Sequence, residues 1–334
     1  MIQLAAHPCS HGDTRIEKDE RESYYAGCVR ERLGRRSGTF YIGSSQDFIN
    51  VEFDFQAPNE IDFQALKRLF QQLFYTHAPQ LDLGVLADHV IEQAQSRGVG
   101  TVVKVDDLEQ VHDPYAVMSA LLLGPPSPAQ ALVHSYLATQ LRRSASAQSL
   151  LALLEQASAE KPLLFVVHER MINLPPQITP PLIQMLLEEC QELQEETSAP
   201  TPTHALFFSR AFSADALDEG DDEDEEPTGL AGARKRKARG AHAHPDDAAA
   251  AALGKSVSNK KRTGTGLDDG LGSFHPEDEL IRPFATHAHT FRFPAPRDAP
   301  DTYEAPIFGR LMAVPYTHLP AILEKMQSVW PAPA

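Results

Sequence analysis

Cysteine, tryptophan and long apolar runs are scarce in this sequence. Its 334 residues include one tryptophan and three cysteines, Cys9, Cys28 and Cys190. An odd and sparse set of cysteines argues against a disulfide framework and is typical of a reducing compartment. No apolar stretch approaches the roughly 20 residues that span a bilayer, and the first residues lack the apolar core of a secretory signal. We therefore expect a soluble intracellular protein without a membrane partner.

Basic residues are also in short supply. The chain has 30 Lys and Arg against 46 Asp and Glu, a formal net charge of −16. A surface that acidic repels phosphate backbones, so direct nucleic-acid binding is disfavoured and basic partners are favoured. The hydrophobic fraction of 42% is sufficient for a core, and the length allows one large domain or two ordinary ones.

Ordered structure is predicted to begin near residue 47. Residues 1–46 are polar without a clear apolar period, which predicts a flexible head. In "FINVEFDF" the apolar residues alternate with polar ones, as in a half-buried strand. Two helical patterns follow, the first over 62–74 with Asp62 as its N-cap and the second over 82–97, ended by Gly98.

The rest of the ordered sequence alternates between strand and helix patterns. Helical spacing breaks near 144–149 within 129–158, and a strand is predicted over "YAVMSALLL", buried on both faces. Four prolines in "ERMINLPPQITPPLIQ" are predicted to hold the chain in an extended conformation. They are predicted to direct the next helix, which begins near Pro181, across the sheet. The fold class is therefore α/β, a single mixed sheet layered with helices, formed by residues 47–212 and 273–330.

Residues 213–272 are predicted to be a disordered charged insertion, because block charge with few large apolar residues cannot form a core. Its acidic run either binds a basic partner by counter-charge or only solubilises the chain. Its basic cluster, Arg234 to Arg239, together with Lys260, Lys261 and Arg262, has the composition of a nuclear-localisation signal or is a solvated tail. The predicted partner-binding residues are Asp218, Glu219, Asp221, Asp222, Glu223, Asp224, Glu225 and Glu226. The predicted import residues are Arg234, Lys235, Arg236, Lys237 and Arg239.

A glycine motif suggests coenzyme chemistry, but its context argues against it. "QSRGVG", Gln95 to Gly100, fits the pyrophosphate-binding pattern of GNAT-type N-acetyltransferases. That pattern works after a strand and at the start of a helix, where free amides and the helix dipole face the phosphate. Here a helix precedes the glycines and a strand follows them. We therefore interpret Gly98 as the end of a helix.

No catalytic, cofactor-binding or metal-binding residue is predicted. His168 beside Glu169 has the composition of a general base and its partner, but no nucleophile accompanies it, so a surface pair is favoured. "LGKS" lacks the first glycine of a P-loop. His7, Cys9 and His11 lack the paired spacing of structural zinc sites.

Several blocks together resemble the BCCIP (Bcp) family. They include "VEFDF…EIDF…LKRLF", "ERMINLPPQITPPLIQMLLEE", "HALFFSRAF" and "LMAVPYTHLPAILEKM", and the resemblance covers roughly 47–329 apart from most of the insertion. It implies a fold similar to the GNAT-type acetyltransferases, without acetyl-CoA binding. It also implies a nuclear location with shuttling to the cytoplasm. Many members begin with a long acidic segment, whereas residues 1–46 here are mixed in charge, so the run at 218–226 is expected to supply the counter-charge.

The resemblance implies a non-enzymatic chaperone or adaptor. Its expected client is a basic large-subunit ribosomal protein. Its expected roles are 60S assembly and the nuclear export of clients, including a phosphoinositide kinase. Nuclear transport factors are also expected partners. A scaffold for DNA repair and cell-cycle control is the alternative that sequence cannot separate. An acyl-CoA-dependent N-acetyltransferase is the disfavoured alternative, and no cofactor is expected.

Overall fold

The computed structural model describes residues 36–42, 49–105, 113–124, 127–213, 269–296 and 305–331, with side chains from residue 53 onward. The strands are β1 (Arg36–Ile42), β2 (Ile49–Gln56), β3 (Thr101–Val105), β4 (Ala116–Leu123), β5 (Leu163–Arg170), β6 (His204–Ser213), β7 (Leu271–Ser273), β8 (His287–Arg292) and β9 (Ile307–Pro315). The helices are α1 (Phe63–Phe74), α2 (Leu83–Arg97), α3 (Pro128–Arg142), α4 (Gln148–Glu155), α5 (Thr179–Thr197), α6 (Glu277–Ile281) and α7 (Leu319–Val329).

All described strands belong to one sheet, in the order β1-β2-β3-β4-β5-β6-β9-β8, and β7 pairs with β6 outside this path. Every pairing is antiparallel except β5 with β6. The prediction of a single mixed sheet in an α/β domain is therefore confirmed. The similarity to the acetyltransferase fold stays a prediction.

Helices cover both faces of the sheet. One face packs against α1 to α4, and the other packs against α5, α6 and α7. β4 contributes to both cores, since Val117 and Leu121 point to the first and Met118 and Ala120 to the second. Because successive side chains of a strand alternate between faces, a strand between two helical layers is apolar throughout. The predicted burial of this strand on both faces is confirmed.

The ordered domain begins earlier than predicted and takes in one end of the insertion. β1, paired along its whole length with β2, lies in the segment predicted to be a flexible head. β7 lies in the predicted insertion and pairs with the last residues of β6. Both strands lack a strong apolar pattern, so their pairing partners define them. Residues 1–35 and 214–268 lie outside the described residues.

Asp62 does not cap α1 in the way predicted. Asn59 caps the short 3₁₀ turn before the helix by accepting from the Ile61 amide (3.1 Å), and Asp62 accepts from the Asn59 amide in return (3.1 Å). The other Asp62 oxygen lies 2.6 Å from Lys104 Nζ, and both side chains are buried. Asp62 therefore links the helix start to β3.

The prolines lie where the sequence places them, in the approach to a helix. Pro176 starts a 3₁₀ turn, and α5 begins at Thr179, two positions before the predicted start, so Pro180 and Pro181 lie in its first turn. Backbone donors there have no partner within the helix, so proline costs little. α5 then packs Leu182, Ile183 and Leu186 on the sheet. In the described ranges, no helix is both long and apolar enough to cross a membrane.

Candidate functional site

β5 and β6 stop pairing before either strand ends. Their register joins only Leu164–Val166 to Ala205–Phe207, although β5 continues to Arg170 and β6 to Ser213. Along the second half of β6, β7 takes the place of β5, and the Phe274 amide donates to the Arg210 carbonyl (3.3 Å). The carboxyl ends of parallel strands are the usual ligand sites of α/β sheets. The space between the two strand ends is therefore the candidate site.

Charged side chains fill this space. We call them the crevice cluster: His168, Glu169 and Arg170 from β5, Arg210 from β6, His275 from the turn after β7, and Glu277 and Asp278 from α6. All except His168, which is partly buried, are buried residues. Carboxylates and cations buried together must satisfy one another, so the contacts within the cluster decide what it is able to do.

Glu169 is the centre of the cluster on the α1 face of the sheet. Its Oε1 lies 2.8 Å from His275 Nε2 and 3.5 Å from Arg210 Nη2, and it accepts from Gln72 Nε2 at 2.9 Å. Burial alone would raise the pKa of Glu169, but the hydrogen bond with His275 and the charge of Arg210 hold that pKa below its ordinary value. Glu169 is therefore ionised at neutral pH.

Arg170 and Glu277 form the corresponding pair on the other face. Arg170 Nε and Nη2 donate to the two Glu277 oxygens at 2.9 Å each, and Thr179 Oγ1 donates to the same carboxylate at 3.3 Å. Burial works against the charge, but the hydrogen bonds from Arg170 lower the pKa of Glu277 to about 2. His168 Nε2 lies 3.8 Å from Glu277. Burial lowers the pKa of His168 to about 4, so His168 is neutral at physiological pH.

Asp278 has the opposite pKa shift. Burial, reinforced by the neighbouring Glu277 charge, raises its pKa to about 6. His275 and Arg310 lower it, but by less than burial raises it. Two adjacent carboxyl groups of α6 therefore differ in pKa because one has a bidentate arginine and the other does not.

The crevice cluster closes the crevice rather than lining an open one. The side chains of Glu169, Arg170, His275 and Glu277 are at most 4% exposed, so substrate has no access to them. The predicted surface pair of His168 and Glu169 is therefore wrong. Both side chains lie inside the protein, and they face opposite sides of the sheet, because consecutive strand residues alternate.

The amides of Gly98 and Gly100 in the glycine motif are already bonded within the protein. Gly98 ends α2 in the left-handed conformation (φ 67°, ψ 22°), and its amide donates to the Ala94 carbonyl. The Gly100 amide donates to Glu189 Oε2, and Thr101 Oγ1 donates to Glu189 Oε1, both at 2.9 Å. A carboxylate of α5 thus takes the position where an anionic ligand would bind. The interpretation of Gly98 as a helix end is confirmed.

The charged insertion leaves and re-enters the sheet at one point. Ser213 pairs with Leu271, and Arg310 holds Asp269 through two hydrogen bonds of 2.9 and 2.8 Å. The predicted partner-binding residues 218–226 and import residues 234–239 lie between these anchors and outside the described residues. They are joined to the described domain through Ser213 on one side and Asp269 on the other.

α5 carries the most one-sided charge among the described helices. Its second half contains five glutamates and no basic residue, and Glu192, Glu195 and Glu196 are exposed. Negative charge near a helix C-terminus opposes the helix dipole, so this arrangement does not serve helix stability. Among the residues that the structure describes, no group of His, Cys, Asp and Glu is suited to hold a metal ion.

Sequence reasoning did not predict the crevice cluster. The only local signal was that two charged residues, Glu169 and Arg170, end an apolar strand directly before a proline-rich turn. Charged residues at such a place are often exposed, so this signal did not indicate burial. Their partners, however, are 106 and 107 positions away, beyond the insertion. No periodic pattern connects them.

The fold and the site together define an α/β scaffold. The crevice at the end of its parallel strands β5 and β6 is filled by the protein's own side chains. The chain belongs to the BCCIP family, whose model matches residues 48–281. It is 47% identical over 307 residues to Protein BCP1 of Mycosarcoma maydis, covering 86% of this chain and 91% of that protein. It is 36% identical over 251 residues to Protein bcp1 of Schizosaccharomyces pombe, covering 74% and 76%.

A solved structure supports the fold. The crystal structure of BCP1 from Saccharomyces cerevisiae matches with a TM-score of 0.51 and 18% identity, covering 84% of this chain and 92% of that one. At that identity the similarity concerns the fold alone. The family resemblance found in the sequence is confirmed by the family model and by the two sequence relatives.

Proposed function

We propose that this chain is a non-enzymatic nuclear chaperone and adaptor. It binds a basic large-subunit ribosomal protein and supports 60S assembly and the nuclear export of clients. The observation that carries the proposal is the uneven charge, −16 over the chain and concentrated on the exposed face of α5 in the described part. Membership of the BCCIP family supports it.

Electrostatics gives this surface a clear physical role. A field of one sign accelerates encounters with an oppositely charged partner and disfavours wrong ones, while desolvated apolar contacts supply most of the affinity. A ribosomal protein that is rich in Lys and Arg is a partner of this kind. Bound to an acidic chaperone, it is shielded from nonspecific contact with nucleic acid until delivery.

The insertion supplies two further elements of the proposal. We propose that the acidic run Asp218 to Glu226 adds counter-charge for the client, and that the basic cluster Arg234 to Arg239 binds nuclear transport factors. Both are tethered where Ser213 and Leu271 pair.

The absence of catalysis is also part of the proposal. The crevice cluster fills the space between β5 and β6, and Glu189 is bonded to the Gly100 amide. Both observations support a binding role over acyl transfer.

Affinity purification of the tagged chain from nuclear extract tests the proposal. We expect one basic large-subunit ribosomal protein in near-stoichiometric amount, and depletion of the chain should lower free 60S subunits relative to 40S in sucrose gradients. If no ribosomal protein co-purifies and the subunit ratio is unchanged, the proposal is wrong. A partner set dominated by recombination proteins would favour the DNA-repair scaffold instead.

A further inference from the structure

The turn after β5 displays two adjacent apolar side chains to solvent. Among the residues whose side chains are described, four large apolar ones are exposed: Ile61, Met171, Ile172 and Val329. Met171 is 41% and Ile172 is 67% exposed, and Asn173 beside them is exposed as well. We call residues 171–173 the apolar tip. It is the one place in the described ranges where two such side chains adjoin.

The backbone of the apolar tip is held from several sides. The Met171 amide donates to the Tyr115 carbonyl (2.9 Å), and the Leu174 amide closes the turn on the Met171 carbonyl (3.1 Å). Arg170 Nη1 donates to the Leu174 carbonyl at 2.8 Å from inside the crevice cluster. Leu174 is buried. The tip is therefore a fixed projection between two anchored residues.

The apolar tip is rigid on its outgoing side as well. Pro175 and Pro176 have fixed φ angles, and the Ile178 amide donates to the Pro175 carbonyl (3.3 Å). Ile178 is completely buried in the core under α5. A segment that is ordered before binding loses little conformational entropy on binding. Exposed apolar side chains on such a segment have the properties of interface anchors.

The arginine behind the tip points to the same conclusion. A buried ion pair such as Arg170–Glu277 is not needed for stability, since apolar residues of similar size are often as good. The pair does, however, direct the third nitrogen of the guanidinium to the Leu174 carbonyl. The cluster thus fixes the conformation of the turn that carries Met171 and Ile172.

The sequence charge of the segments that join the sheet at this end indicates the kind of partner. The connection from β3 to β4 ends beside the apolar tip, because Tyr115 bonds Met171. Residues 106–113 contain Asp106, Asp107, Glu109 and Asp113 but no Lys or Arg, and of these Asp113 pairs with Arg68 of α1. The insertion leaves the same end of the sheet after Ser213, and its first charged block is acidic. Both connections are acidic in sequence and the chain has a net charge of −16, so an apolar anchor on this chain is complementary to an apolar patch on a basic protein.

We propose that the apolar tip inserts Met171 and Ile172 into an apolar pocket on the basic ribosomal client. This inference rests on the proposed function and locates its contact surface. The charged segments increase the rate of association, and the tip supplies the desolvated contact that slows dissociation. The proline-rich turn then has two roles, because it leads into α5 and also carries the anchor residues Met171 and Ile172.

The test compares the full-length chain with Met171→Ser/Ile172→Ser, a change that leaves its net charge unaltered. The probe is the set of proteins extracted with high salt from purified 60S subunits, fractionated and titrated individually against each variant. Ile61→Ser, at a similarly exposed side chain outside the turn, is the matched control. Thermal unfolding should be the same for all three, because both sites are on the surface.

We expect the double variant to weaken the affinity for the bound ribosomal protein about tenfold or more, and the control to change it less than about twofold. The ratio should persist at high salt, where charge steering is screened. If the wild type binds a ribosomal protein and the double variant binds it equally well, the tip is not the anchor while the proposed function stands. If the wild type binds none of the probe proteins, both are wrong.

Discussion

Arg170 and Glu277 are 107 positions apart in the sequence and form a bidentate ion pair in which neither side chain is more than 2% exposed. The pair connects the end of β5 to α6, the first helix after the insertion. It therefore joins the two parts of the domain across the charged segment.

Removal of one partner of this pair should be costly. Arg170→Met leaves Glu277 charged and buried, and we expect a loss of about 3 to 5 kcal/mol in the free energy of unfolding. Arg170→Met/Glu277→Leu should recover a large part of that loss, because no charge is then left alone. Urea denaturation measures all three proteins. As a control, Arg142→Ala removes an exposed pair with Glu155 and should cost less than about 1 kcal/mol.

The contributions of His168 and Asp278 to the pH dependence of stability should nearly cancel between pH 4.5 and 6.5. The pKa of His168 is lowered to about 4. Its contribution to the free energy of unfolding is therefore fully present above the ordinary pKa of 6.5 and is lost as the pH falls towards 4. The pKa of Asp278 is raised to about 6, so its contribution is present at low pH and is lost as the pH rises. Each amounts to about 2 kcal/mol over this window.

Single variants should separate the two contributions. Asp278→Asn removes the opposing contribution, so as the pH falls from 6.5 to 4.5 the variant should lose about 2 kcal/mol more stability than the wild type. His168→Gln should differ from the wild type in the opposite direction, by a similar amount over the same pH range. Chemical denaturation at several pH values measures both. Parallel pH profiles for wild type and the two variants would contradict the pKa shifts.

Acetyl-CoA should not bind this protein. The Gly100 amide donates a hydrogen bond to Glu189. The C-terminus of α2 precedes Gly100, and the dipole of that helix end repels anions. Calorimetric titration with millimolar coenzyme should give no binding heat. Glu189→Ala, which frees the amide, should give none either, because the dipole is unchanged. Micromolar affinity in either protein would overturn the interpretation of the glycine motif.

The domain should fold without the segment between its anchors. Replacement of residues 214–268 by a short Gly-Ser linker keeps the pair Ser213–Leu271 and the bond from Arg310 to Asp269. Stability should stay the same or rise by up to roughly 2 kcal/mol, since the closed loop is shorter. Thermal unfolding measures it. A marked loss of stability would show that the removed segment contributes to the fold.

Nuclear import should depend on the basic cluster. Substitution of Arg234, Lys235, Arg236, Lys237 and Arg239 by alanine removes its charge, and a fluorescently tagged full-length chain should then accumulate in the cytoplasm. The tagged wild-type chain is the control, and alanine at Lys260, Lys261 and Arg262 tests the second basic group of the insertion separately. Unchanged nuclear fluorescence in the first variant would exclude this cluster as the import signal.

The sequence by itself determined the local elements of this protein. The alternation of Phe53 and Phe55 with polar residues, the helix end at Gly98 and the continuous apolar run of β4 are periodic or conformational signals that need no distant partner. The pattern of apolar and polar residues defines such elements, because it shows which face of a segment is buried in the core.

The tertiary structure decided which charged residues are buried and which short segments are strands. His168 and Glu169 were predicted at the surface, yet cations and carboxylates from β6, the turn after β7 and α6 compensate their burial. β1 and β7 are strands because β2 and β6 offer them hydrogen-bond partners. Burial of charge and the pairing of short strands depend on groups brought together by folding, and no local pattern records them.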